Sequence, residues 1–99
     1  MSDAISVLVR LVLTGKAKMQ YEEGVLTLLL FEYGLELARE EEEALLKEGW
    51  RISYAAFAAC GYASLERQEL EGGKVKYILY PCFCHPTNYA IVISKRVRA

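Results

Sequence analysis

The sequence predicts an α+β fold: a mainly antiparallel sheet with one helix on a face. Three observations predict it. Strand-like runs flank Glu22-Glu23-Gly24, further runs flank Gly72-Gly73, and residues 36–50 space most of their apolar side chains for a helix. The chain of 99 residues is expected to form a single domain, 1–99, with a core large enough to fold without staples.

Taken in order, AISVLVRLVLT at residues 4–14 admits two readings. Ser2 or Asp3 stands where a helix cap would, and Gly15 where a helix would stop. Val and Ile are frequent, however, and β-branched side chains prefer strands, so strand is the expectation. A hairpin is predicted near 16–33, with its short turn at Glu22-Glu23-Gly24. Its second strand is apolar on both sides. Val25, Leu29 and Phe31 fall on one face and Leu26, Leu28 and Leu30 on the other. A strand of this kind belongs in the middle of a sheet or in a subunit interface. Gly34 reads as a bulge.

The helix is predicted over 36–48. Leu37, Ala38, Glu41, Ala44, Leu45 and Glu48 share one stripe, with Arg39, Glu40, Glu43 and Lys47 on the other side. Glu43 precedes Lys47 by one helical turn, carboxylates crowd the first turns, and Gly49 supplies a stop. A strand follows from Trp50, because Trp50, Ile52 and Tyr54 alternate with Arg51 and Ser53. Its alanine-rich continuation suits a helix better. A second hairpin is predicted near 64–82, with a two-residue turn at Gly72-Gly73 that would set Glu71 against Lys74 and Glu69 against Lys76. With a final strand over 89–97, the last third reads as a three-stranded meander.

Net charge is −1, which gives no general attraction to polyanions, although a local basic patch remains open. The apolar runs at 7–9 and 28–31 are far too short to span a bilayer, and residues 4–13 lack the basic leader and cleavage site of a signal peptide. A cytoplasmic location is the expectation, in the host if the protein is viral. The acidic residues are twelve Glu and one Asp, and Asn88, Gln20 and Gln68 are the whole amide set. Abundant Glu, Lys and Arg with few amides marks proteins of hyperthermophiles. In composition the chain resembles the small orphan proteins of hyperthermophilic archaea or of their viruses.

The stretch LERQELEGGKVKYILY resembles the β-wing of winged helix-turn-helix proteins, which makes a winged helix the alternative fold, with residues 36–48 and 53–63 as its helices. The segment that would then read DNA, SYAAFAACGYA, has no Arg, Lys, Asn or Gln to reach base edges.

Four residues invite a metal reading: Cys60, Cys82, Cys84 and His85. Three thiols and an imidazole make a tetrahedral zinc set. The C-x-C-H spacing is not that of a zinc knuckle, and buried thiols with a loop histidine are favoured over a disulfide from Cys60, and that over a metal. Thiol catalysis is disfavoured because His85 adjoins Cys84 along the chain. The carboxylates at 40–43 spread around a helix and read as a solvated face. Lys74, Lys76, Lys95, Arg96 and Arg98 are the nucleic-acid candidates, with Tyr77, Tyr80 and Tyr89 for stacking, provided that the last two strands pair. The overall charge does not favour that reading.

The functional expectation is a small non-enzymatic binding or structural module without a cofactor. A single helix cannot cover so many strands, so a homo-oligomer, most simply a homodimer, is expected to bury the remaining face. A nucleic-acid-binding regulator is the alternative.

Overall fold

The computed structural model describes residues 3–57, 63–81 and 89–97. Among them run two helices and seven strands: α1 (Ala4–Leu13), β1 (Lys18–Glu22), β2 (Val25–Leu30), β3 (Gly34–Ala38), α2 (Arg39–Lys47), β4 (Arg51–Ala56), β5 (Ala63–Leu70), β6 (Lys74–Pro81) and β7 (Tyr89–Arg96). The fold is α+β, with two antiparallel sheets. One has the order β1-β2-β7-β4 and the other β3-β6-β5.

The first segment is a helix, not a strand. Ala4, Val7, Leu8 and Leu11 are buried, and their spacing is that of one helical face. The Asp3 carboxylate accepts from the Ser6 N–H at 2.8 Å, so the cap predicted for the helical alternative is made. Magnitudes explain the outcome. Each buried Val or Leu contributes roughly 1.5–3 kcal/mol, whereas a β-branched residue costs a helix at most about 0.7 kcal/mol.

The first hairpin forms as predicted, with Glu22 opposite Val25 and positive φ at both Glu23 and Gly24. β2 then pairs with β1 on one side and β7 on the other, which is the central position its two apolar faces demanded. Gly34 opens β3 and makes no bulge.

The predicted helix at 36–48 is shorter at its start. Leu35 and Leu37 are buried and Glu36 is exposed, so the chain alternates as a strand until Ala38. α2 ends where expected. Gly49 has φ +91°, its N–H bonds the Leu46 carbonyl at 3.1 Å, and the Trp50 N–H bonds the Leu45 carbonyl at 3.0 Å. That pair of bonds is a Schellman motif, which needs the left-handed conformation that glycine adopts without strain. Residues 51–56 form β4, the strand expected after Gly49.

The second hairpin is present, but its register is shifted by one. Leu70 pairs with Lys74 and Gln68 with Lys76, so the loop is Glu71-Gly72-Gly73 and the predicted Glu–Lys pairs do not form. A one-residue slip exchanges the two faces of a strand. The observed register turns Leu65 toward the core beside Leu79, and sets Arg67 opposite Tyr77. Lys76 instead faces Glu36 on β3.

The predicted meander is also not made. β7 pairs with β2 and β4 rather than with β6. Tyr89, Ala90, Ile91, Val92 and Ile93 are all buried. Five consecutive buried residues require cover on both faces and neighbours on both edges, which the end of a meander does not provide. The main core lies between the sheets and helices. It joins Leu28, Leu30, Ile91 and Ile93 from the four-stranded sheet, Leu37, Val75 and Leu79 from the other, Val7 and Leu11 from α1, and Leu45 from α2.

Candidate functional site

The basic candidates are divided between the two sheets. Lys74 and Lys76 stand on β6, while Lys95 and Arg96 stand at the end of β7, opposite Leu26 and Val25. The β6–β7 pairing that would have set them side by side is absent from the described ladders. Tyr77 and Tyr89 are buried and Tyr80 is exposed, so the tyrosines do not form a stacking row. Arg98 lies outside the described residues, and so do all four metal candidates, Cys60, Cys82, Cys84 and His85. No helix among the described residues is long and apolar enough to cross a membrane.

The carboxylate run holds the main surprise. Glu40 and Glu43 are exposed, as a solvated face requires, but Glu41 and Glu42 are buried. Only 2% of Glu42 is exposed. It accepts from Arg67 Nε at 2.6 Å and Nη2 at 2.7 Å, and from the Tyr77 hydroxyl. Glu41 accepts from Arg10 and from the Ala38 N–H at 2.8 Å. The signal for this network was present in the sequence. Glu41 fell on the mainly apolar stripe of the helix, and Arg67 shares the Leu65 face of β5 once the register is right.

The electrostatics follow from these bonds. The Arg67 guanidinium holds the Glu42 carboxyl below its ordinary range; burial opposes this and the Tyr77 hydroxyl assists. Burial pushes the Glu41 carboxyl upward, but bonds from Arg10 and Ala38 outweigh it and leave a net lowering. Burial, reinforced by the Glu42 carboxylate, pushes the Tyr77 phenol up to about 12. Near neutral pH the two carboxylates therefore stay ionised and the phenol stays protonated. Neither is poised to exchange a proton, and the cluster ties α2 to β5 and β6.

Two apolar regions lie outside this network. One is the outer face of the four-stranded sheet. Leu29, Ala90 and Val92 are buried there and Ala55 packs against them, a cluster drawn wholly from β2, β7 and β4. Phe31 and Phe57, each more than half exposed, follow β2 and β4 and bring their ring centroids to 6.1 Å. The other is an apolar cleft of about 300 Å³ beside α1, with Trp50 and Lys95 in its lining. A second hollow, of about 240 Å³, is polar and mixes Arg10 and Lys16 with Glu32 and Glu36, so its charges oppose one another.

Compared with protein-family models, curated proteins and solved structures, the chain has no match.

Proposed function

We propose that the chain is a small non-enzymatic binding or structural module that works as a homodimer, joined through the outer face of its four-stranded sheet. The observation that carries this reading is the pair of rings Phe31 and Phe57, each more than half exposed and 6.1 Å apart, beside the buried cluster of Leu29, Ala90 and Val92. Its centre is built from small side chains, with Ser53 and Thr27 around them. Two such sheets can approach to the usual spacing of about 10 Å. A two-fold axis through the face would set Phe31 and Phe57 against their own copies and cover them. The buried carboxylates support the non-enzymatic part, since their oxygens are engaged by Arg67, Tyr77, Arg10 and Ala38.

Sedimentation equilibrium at micromolar concentration tests the proposal. The wild type is expected at twice the chain mass, and Phe31→Lys with Phe57→Lys at the chain mass with its circular dichroism unchanged. A wild-type monomer overturns it.

Nucleic-acid regulation through Lys74, Lys76, Lys95, Arg96 and Arg98 is the second reading, with less support because its lysines stand in different sheets. A cytoplasmic setting, in a cell or in the host of a virus, belongs to the same proposal and rests on composition.

A further inference from the structure

The apolar cleft opens at the edge of the main core. Leu8 and Trp50, both core residues, and half-buried Leu26 lie deep in it. Ile5 and Val9 of α1, Met19 of β1 and Val97 form its exposed walls. Four large apolar side chains left in water around one hollow form a patch that a ligand would cover. Two charged residues join this lining, Lys95 and Glu48.

Lys95 differs from the arginines around the core. Arg10, Arg39 and Arg67 each pair with a carboxylate, whereas Lys95 is in no ion pair among the described residues. It is nevertheless held in place. Its Nζ stands 5.9 Å from the Trp50 ring centroid, a cation–π arrangement. Its Cε lies 3.7 Å from where a side chain on Gly49 would begin, so the stem passes over the turn that ends α2. The helix dipole there favours a cation. Together these contacts position an ammonium that has no hydrogen-bond partner among the described residues, in the lining of an apolar hollow.

We propose that this cleft binds an amphipathic anion, a medium-chain aliphatic carboxylate, with its tail against Leu8, Leu26 and Met19 and its carboxylate on Lys95 Nζ. The volume sits at the lower end of the range for small-molecule sites, which suits a medium chain better than a long one. Charge complementarity selects the anion: an ammonium headgroup would meet Lys95 and gain only Glu48, which is exposed to solvent. The site is independent of dimer formation, because Leu26 and Lys95 pair across the inner face of the sheet whose outer face carries Leu29 and Val92.

Trp50 is the chain's single tryptophan, so its emission reports on the cleft directly. The experiment titrates the full chain with decanoate below its micellar concentration, and with decylammonium as the matched cation. Decanoate is expected to give a saturable one-site change and decylammonium none. Lys95→Gln should weaken decanoate about tenfold, the worth of one charge-assisted hydrogen bond, while Lys95→Arg should retain most of the affinity. Glu48→Gln should tighten binding by about two- to threefold, in line with an exposed like charge. Thermal melts of each variant report whether it folds. The proposal is overturned if the wild type shows no saturable change, if decylammonium binds as well as decanoate, or if folded Lys95→Gln binds like the wild type.

Discussion

Arg67 on β5 grips Glu42 on α2 with two nitrogens, Nε at 2.6 Å and Nη2 at 2.7 Å, while the carboxylate is almost wholly shielded from water. The contact joins a helix to a strand 25 residues further along the chain. It also explains the hairpin register, since a slip of one residue would turn Arg67 to the outer face and leave Glu42 without its cation.

Glu42→Ala is therefore expected to destabilise the fold by roughly 2–3 kcal/mol, because it removes charge-assisted bonds and leaves the Tyr77 hydroxyl unmatched. Arg67→Met alone should also destabilise, since it strands a buried carboxylate. Arg67→Met combined with Glu42→Leu should recover much of the loss, as an apolar replacement of a buried pair often does. Urea unfolding of the three variants checks this. A double variant no more stable than Arg67→Met would show that the pair does not act as a unit.

Stability should fall in acid. Glu41 and Glu42 both have folded pKa values below the ordinary 4.5. A group depressed in this way stabilises the fold above its unfolded pKa, and that contribution is lost as pH falls through the folded value. The melting temperature is thus expected to be insensitive to these groups at neutral pH and to decline below about pH 4.5, with a smaller decline in Glu42→Gln. A thermal melt series checks it.

Tyr77 makes the opposite prediction in alkali. Its phenol is raised from 10.0 to about 12, so its contribution is complete below pH 10 and is lost as pH rises through the folded value. An ultraviolet titration of the seven tyrosines should include a late step, and Tyr77→Phe should reduce it by one residue. A Tyr77→Phe curve with the late step undiminished would place the shift on another tyrosine.

These contacts also show which parts of the fold the sequence made readable. Local patterns were sufficient for the Glu23-Gly24 hairpin, the Gly49 stop and the central place of β2. In α1 the composition pointed one way and the spacing of Ala4, Val7, Leu8 and Leu11 another, and the spacing prevailed because burial outweighs propensity. β7 was visible as a strand, but its neighbours were not. The five buried residues from Tyr89 to Ile93 were the clue that it lies centrally. Glu42 was the hardest to read. A buried carboxylate is recognisable only through its partner, and Arg67 reaches it only in a register that the apparent Glu–Lys pairs argued against.

The loop at Glu71-Gly72-Gly73 isolates a backbone effect. Gly72 and Gly73 have φ of +81° and +71°, and a side-chain carbon at either would meet nothing within 4 Å. Replacement there strains the backbone without a clash. Gly72→Val with Gly73→Val is expected to cost about 1–3 kcal/mol, and Gly73→Asn much less, since asparagine tolerates the left-handed region. Equal melting temperatures for the Val pair and the wild type would contradict the observed turn.

Nucleic-acid binding should be weak and divided. Attraction to a phosphate backbone depends on how many cations one strand can meet together, and each contact contributes to the slope of affinity against salt. Lys74 and Lys76 share their sheet with Glu36, Gln68 and Glu66, whereas Lys95 lies over Trp50 in the other sheet. Buried Tyr77 and Tyr89 offer no stacking surface. Single-stranded DNA is thus expected to bind with low affinity and a shallow salt dependence. Replacing Lys95, Arg96 and Arg98 together by Ala should abolish what binding the β7 end provides, and replacing Lys74 and Lys76 by Ala should have a separate, additive effect. Fluorescence anisotropy over a range of salt measures both. A steep slope abolished by either set alone would mean that the two groups act as one surface. A sequence-specific duplex complex at nanomolar affinity in physiological salt would favour the regulator over the self-associating module.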